Sequence, residues 1–411
     1  MRRWSLVLGL LLGCASPPAE DSFSFWAGTS AIDLTPTRNL PLGGYGGRQG
    51  APMTGVHDPI FAKALWLETP TAKVCLVTTD LIGSLVSLRD QIQPEDASVV
   101  LCASHSHSGP GGLVRGFWEL AMGKYDPAFY EEIAGKLHQA VLQARANRRP
   151  ARLAFVRGEA PGFSRNRRVK GGPVDPELNV LRVDDALGRP MAILTNYTAH
   201  GTILSERNLL LSGDWQGALQ RDLERQFPTA VALYTNGAEG NIAPSSPSDR
   251  DGEFERCEAL GQAIADKVAN LVQTIDKTTE RVKLSYVERG VDLPSPTLPA
   301  APKTSVLGLL EINGTRMFCF PGEPFVELGL ELKKRFPGAW ILGLANDHLG
   351  YFLTEEGYAR GGYERMVSFY GPTMGPWLVA QLTELGEGKH AQDRPGQSER
   401  GRGQDHDRRQ P

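Results

Sequence analysis

From residue 25 to residue 385, apolar runs of strand length alternate with stretches whose apolar residues recur at helical spacing, separated by Gly/Pro-rich turns. That interleaving admits few architectures. Strands alone would build a sandwich or barrel and helices alone a bundle; the mixture predicts an α/β fold with mixed β-sheets and flanking helices. Residues 74–79 and 98–103 read as buried strands because most of their positions are apolar. Residues 126–146 read as a helix that presents Phe129, Ile133, Leu137, Val141 and Ala144 on one face. Further strands are expected at 152–157, 230–234 and 339–344, and helices at 216–227, 253–271 and 325–336. A strand pair at 179–183 and 191–197 surrounds the Leu187-Gly188 turn, and Asn313-Gly314, between runs 305–312 and 315–320, is a strong hairpin signal. There is no internal repeat.

The two ends differ from this body. Met1-Arg2-Arg3, a short apolar run and Leu11-Leu12-Gly13-Cys14 form a secretory signal that ends in a lipobox. The apolar run is too short to stay in a bilayer as a spanning helix. A signal peptide over 1–13, lipidation at Cys14 and a tether over 14–24 are therefore expected, with an ordinary cleaved signal as the alternative. Such a chain would belong to a bacterial cell envelope, anchored by its lipid to the outer membrane facing the periplasm, or be secreted. Residues 386–411 are polar and Gly- and Arg-rich, which predicts a disordered tail and leaves 25–385 as the folded domain. A formal net charge of -3, with both signs mixed along the chain, argues against a nucleic-acid partner. Cys75, Cys102, Cys257 and Cys319 form no Cys-x-x-Cys pair and read as buried free thiols.

Four segments place chemistry-bearing residues at strand ends. Ser104-His105-Ser106-His107-Ser108-Gly109-Pro110 follows the strand that ends near residue 103. On an extended strand end two histidines two apart share a face, although two polar loop histidines would read the same way. Ala199-His200-Gly201 ends another strand in a histidine that could equally be structural. Pro321-Gly322-Glu323 sets a carboxylate in a strand-to-helix turn, where the helix dipole alone would favour it. Asn346-Asp347-His348-Leu349-Gly350-Tyr351 follows the 339–344 run. Two His, one Glu and one Tyr would together suit a borderline cation such as Zn²⁺, but spacing alone does not unite them.

On these and other residues the chain resembles the catalytic domain of the neutral/alkaline (non-lysosomal) ceramidase family. The resemblance is carried by Ala27-Gly28-Thr29-Ser30-Ala31-Ile32-Asp33-Leu34-Thr35-Pro36, Leu42-Gly43-Gly44-Tyr45 and Gly55-Val56-His57-Asp58-Pro59. It continues through the His-x-His-Ser-Gly-Pro motif at 105–110, Pro321-Gly322-Glu323, Asn346 to Tyr351, Tyr363-Glu364 and Tyr370-Gly371-Pro372. The resemblance implies one zinc ion held by His105, His200, Glu323 and Tyr351, with His107 beside the metal-activated water. It maps a family arginine onto Arg167, with Arg165 and Arg168 as alternative registers, and a second tyrosine onto Tyr363. In that reading His107 moves protons, while Arg167 and Tyr363 stabilise the oxyanion.

The implied activity is zinc-dependent hydrolysis of an amide bond, with an N-acyl lipid such as ceramide, or another small-molecule amide, as substrate. Two departures bear on it. Where the family carries Gly-Asp-Val-Ser-Pro-Asn, this chain reads Gly240-Asn241-Ile242-Ala243-Pro244-Ser245, so Ala243 stands in place of a functional serine unless Ser245 or Ser246 substitutes. Full-length family members also continue into an immunoglobulin-like C-terminal domain, and a catalytic-domain-like fold without that domain is expected here. A zinc hydrolase of a different amide or ester, and a non-catalytic binding protein on the same fold, are the alternatives. Asp214 is expected to cap a helix, and His57 to stand behind the ligands.

Overall fold

The structure is a computed structural model that describes residues 24–248 and 252–389. Its main sheet has eight strands in the order Val231–Asn236, Pro190–Tyr197, Glu177–Asp185, Arg149–Glu159, Trp26–Asp33, Phe61–Glu68, Lys73–Thr79, Ser98–Ala103. Neighbours run antiparallel except for the outermost pair at each end, which is parallel. A parallel pair needs a crossover. The crossover between Pro190–Tyr197 and Val231–Asn236 contains the helix Asp214–Gln226, and that between Lys73–Thr79 and Ser98–Ala103 contains Val86–Ile92.

The sheet curls until its ends meet. Asn236, at the end of one edge strand, donates from Nδ2 to the Ser104 carbonyl just past the opposite edge strand, at 3.2 Å. This closure sets the His-x-His loop beside the chain that leaves Pro190–Tyr197, where Ser106 bridges Gly201 in parallel register. Two histidine segments far apart in sequence thereby become neighbours.

A second sheet runs Leu284–Asp292, Thr304–Ile312, Thr315–Cys319, Trp340–Leu342. Its hairpin turns on Asn313 and Gly314 with φ 50° and 84°, the double left-handed pair that a two-residue primed turn requires. Leu310, Met317 and Leu342 from this sheet pack against Leu65, Val100 and Leu194 of the first. The helix Pro127–Ala146 covers the other face of the main sheet and buries Phe129, Ile133, Leu137, Val141 and Ala144 against Trp66 and Val77. Asp126 caps it by accepting the Phe129 N–H at 3.0 Å.

The α/β class and the expected elements are borne out. The helix Met374–Gly386 runs one residue past the expected domain end, and the description continues to Lys389. The signal peptide, Cys14 and all but the last residue of the tether lie outside the described residues, as does the tail from 390 onward. Cys75, Cys102, Cys257 and Cys319 are buried and free. No helix among the described residues is long and apolar enough to cross a membrane.

Candidate metal centre

His105 does not ride on the strand end as its spacing suggests. Ser98–Ala103 stops before it, the Ser104 N–H donates to the Thr79 carbonyl, and His105 has φ 68°. A left-handed backbone is unusual for a residue with a Cβ and persists only where the surroundings impose it. His105 and His107 therefore converge through a turn rather than through strand pleating. Gly44 makes room for this: its φ is 100°, and a Cβ there would stand 2.5 Å from His107 Nδ1.

Each ligand candidate is aimed from behind. His105 Nδ1 donates to the Ile82 carbonyl at 2.6 Å, and His200 Nδ1 to the Glu239 carbonyl at 2.8 Å. With their protons on Nδ1, both rings turn an Nε2 lone pair toward the same point. Glu323 and Tyr351 arrive on two-residue strands, Glu323–Pro324 and Tyr351–Phe352, that pair in parallel with Glu323 opposite Tyr351. Glu323 Oε2 lies 3.1 Å from His105 Nε2 and 3.2 Å from His200 Nε2. Tyr351 Oη lies 3.1 Å from His200 Nε2, and His107 Nε2 lies 3.1 Å from His105 Nε2.

This arrangement fits a cation. Glu323 Oε2 is buried with no hydrogen bond of its own, although two imidazole nitrogens approach it within hydrogen-bond distance. Those nitrogens carry lone pairs, so contact between them and a carboxylate oxygen is unfavourable unless a positive centre sits between them. Tetrahedral bonds of about 2.0–2.2 Å would set ligand atoms roughly 3.3 Å apart, close to the separations seen. Nitrogen and oxygen donors of this kind suit a borderline divalent ion. His107 belongs to the same buried cluster as His105 and His200, whose ligand atoms all lie within 4.8 Å of one another.

Protonation states agree. Burial first, then the neighbouring Arg167, pushes His200 down to about 3. Burial, with His105 and His200 nearby, holds His107 well below the ordinary imidazole range. Burial alone would raise Glu323, but the imidazoles around it, His348 among them as a donor to Oε1, keep its carboxyl well below the usual range, as a positive centre between Oε2 and the two lone pairs would also do. Neutral His107 and His200 with an ionised Glu323 are the forms that bind a metal.

Of the three arginines that could fill the family position, Arg167 is the one aimed at the cluster. Its Nη2 donates to Tyr351 Oη at 3.1 Å and to the Gly240 carbonyl at 2.9 Å, and its Nε to Glu364 at 3.0 Å. Arg165 turns to the Pro244 carbonyl and Ser245, and Arg168 to Glu364. Tyr363 packs edge-on against Tyr351 with ring centroids 6.1 Å apart and reaches the cavity. Ala243 sits in the strand Ile242–Pro244. Ser245 Oγ accepts from Arg165, and Ser246 Oγ donates to the Arg256 carbonyl, so both neighbouring hydroxyls are engaged away from the ligands.

Three supporting residues carried little or no signal. His348 Nε2 donates to Glu323 Oε1 at 3.1 Å and fixes the carboxylate from its far side. Glu239 is wholly buried, neither of its carboxylate oxygens has a partner, and burial pushes its carboxyl well above the ordinary range. Asp214 does not occupy the cap position, which belongs to Gly213; it opens the helix with φ 54°. Its carboxylate accepts the N–H groups of Ile203, Leu204 and Trp215, clamping the loop after His200, while Trp215 Nε1 donates to the His200 carbonyl. His57 takes no such part. It pairs with Asp58 and stacks on Phe254 in a separate pocket.

Two spaces open above the ligands. One, of about 770 Å³, is lined by the charged Arg168, Arg360, Glu206 and Glu364 together with several glycines, His107 and Tyr351. The other, about 180 Å³, is lined by Ile82, Trp118, Met122, Val367 and Phe369, and reaches His105 and Glu323. His107, Tyr351 and Tyr363 border both.

Residues 25–258 match the family described as neutral/alkaline non-lysosomal ceramidase, N-terminal. The neutral ceramidase of Pseudomonas aeruginosa is 23% identical over 286 residues, 61% of this chain and 42% of that protein. Neutral ceramidase A of Dictyostelium discoideum is 25% identical over 294 residues, 59% of this chain and 41% of that protein. The matches thus span about four-tenths of those relatives' length. The crystal structure of the Pseudomonas aeruginosa neutral ceramidase superposes with a TM-score of 0.80 at 20% identity, over 89% of this chain and 75% of that one. A structure described as ceramidase complexed with C2 superposes equally well, at 19% identity. The chain belongs to the neutral/alkaline non-lysosomal ceramidase family.

Proposed function

We propose that this chain hydrolyses the amide bond of an N-acyl lipid of the ceramide class, using zinc held by His105, His200, Glu323 and Tyr351. The observation that carries the reading is the buried, unsatisfied Glu323 Oε2 faced by two imidazole lone pairs. A zinc ion bound there would supply Lewis acidity and make a water molecule acidic enough to react near neutral pH.

The chain's own residues supply the rest. His107 is unprotonated at neutral pH and lies beside the ligands, so it takes the proton from the attacking water and returns it to the leaving amine. Arg167 keeps its charge next to Tyr351 through Glu364, and with Tyr363 offers donors where the carbonyl oxygen becomes negative. No serine hydroxyl of the 243–246 segment is aimed at the site, which leaves water as the nucleophile. The smaller apolar space accepts the start of an acyl chain and the larger space, with its charged residues, the amine half. Lipidation at Cys14 would hold the enzyme at an envelope membrane.

Ala243 and the charged residues that line the larger space favour a second reading, a zinc hydrolase of a different amide or ester. Fatty-acid release from a panel of N-acyl lipids, with and without a chelator, distinguishes the two. Chelator-sensitive release from ceramides supports the first reading; turnover of polar amides or esters alone supports the second. Full zinc occupancy without any turnover would leave a binding protein.

A further inference from the structure

Apolar side chains in water are ordinary when scattered and informative when gathered. Six large hydrophobic residues are exposed among the described residues: Val56, Leu120, Leu142, Leu187, Tyr363 and Met366. Three of them, Leu120 at 76%, Met366 at 72% and Tyr363 at 53% exposure, border one feature, the small apolar space beside His105 and Glu323. They come from two separate segments, the short helices Glu119–Met122 and Tyr363–Met366. Burial in the fold does not explain them, and of the three only Tyr363 has a part in the chemistry proposed for the site.

The charges in these segments have a sign. Within six residues of Leu120 or Met366 the chain exposes Arg115, Lys124, Arg360 and Arg365. Arg360 is paired with Glu356. Arg115 lies over the Tyr125 ring and Arg365 over the Tyr358 ring, and neither they nor Lys124 join an ion pair among the described residues. Of the carboxylates close by, Glu364 is buried between Arg167 and Arg168 and Asp126 pairs with Arg38, while Glu119 accepts the Gly116 N–H and keeps its charge, so the cations still outnumber the unpaired anion. Exposed apolar residues on short helices, with unpaired cations close by in the same segments, are the pattern of a surface that enters the headgroup region of an anionic bilayer.

We propose that Leu120 and Met366 form a docking tip that inserts into an anionic lipid surface. Arg115, Lys124 and Arg365 hold it there. Because the tip is the rim of the apolar space, an acyl chain passes from the bilayer toward Glu323 without crossing water. Adhesion itself does not depend on which bond the site cuts; only the acyl route rests on the lipid-amidase reading.

The test uses the full chain carrying Cys14→Ser, so that no acyl anchor contributes, and vesicles of phosphatidylcholine with about a third phosphatidylglycerol. Co-sedimentation should show binding that weakens on pure phosphatidylcholine. Leu120→Ser/Met366→Ser should weaken it at least about tenfold on both vesicles. Lys124→Glu/Arg365→Glu should weaken it by a similar factor on the anionic vesicles alone, and leave hydrolysis of a soluble short-chain amide unchanged. Thermal melting confirms that each variant is folded. Absent binding by the Cys14→Ser parent, or binding unaltered in both variants, overturns the proposal, and hydrolysis of the soluble amide in the same samples shows that the amidase reading survives. A parent that self-associates, and a Leu120→Ser/Met366→Ser variant that does not, would assign the tip to a second copy of the chain and overturn it as well.

Discussion

His57 lies beside Asp58 and His105 beside Glu323, and of these two neighbourhoods only the second has the makings of a metal centre. At His57 the nearest groups are already answered: Nδ1 has Asp58, the ring lies flat on Phe254 at 3.7 Å, and Glu258 has Arg221. At His105 the opposite holds. Nδ1 is tied back to a carbonyl, the carboxylate oxygen it faces is buried without a hydrogen bond, and a second histidine repeats the arrangement. Nearness of His to Glu is common and cheap. Lone pairs locked toward one another in a buried space are costly unless something positive binds there.

The largest expected effect breaks the richer pocket. His105→Ala removes a ligand, so zinc affinity should fall at least about 100-fold and amide turnover should vanish, as measured by metal analysis after dialysis and by product release. Next, His107→Ala separates binding from chemistry. It should keep zinc and lose about 10²- to 10⁴-fold in kcat. Metal loss in this variant would make His107 a ligand, as its 3.1 Å approach to His105 allows.

The third prediction works from behind the site. Burial pushes the Asp214 carboxyl up to about 6, even though the N–H groups of Leu204, Trp215 and Ile203 oppose the shift. The unfolded value is about 3.9, so the folded state holds the proton more tightly. That stabilisation is complete below the unfolded pKa and is lost as pH rises through the folded one. Melting temperature should therefore decline between about pH 4 and pH 6, and Asp214→Asn, although less stable overall, should lack that component of the decline. The smallest effect is expected at the other pocket, where His57→Ala should change stability by no more than about 1 kcal/mol and leave zinc content and turnover alone.

What the sequence discloses follows the same division between local and distant causes. Ser98–Ala103 and the Asn313-Gly314 hairpin are legible because a mostly apolar run and a left-handed turn pair are local facts. Phe61–Glu68 is harder, since Phe-Ala-Lys-Ala-Leu-Trp-Leu-Glu is as good a helix as a strand until its neighbours on both sides claim it. At the site, resemblance names the ligands, but the left-handed turn at His105 is imposed by tertiary contacts that no spacing reveals. Glu239 shows the limit most plainly. Gly237-Ala238-Glu239-Gly240-Asn241 reads as a solvated turn, yet its carboxyl is wholly buried, packed against Gly343 from a distant part of the chain and close enough to feel the charge of Glu323.

The account stands on one position in space. Crystals of the zinc-loaded chain, measured on both sides of the zinc absorption edge, should give a single strong anomalous peak within about 2.0–2.3 Å of His105 Nε2, His200 Nε2, Glu323 and Tyr351 Oη. A peak in the His57 pocket instead, or none among those four side chains in protein shown to hold one zinc, would contradict it.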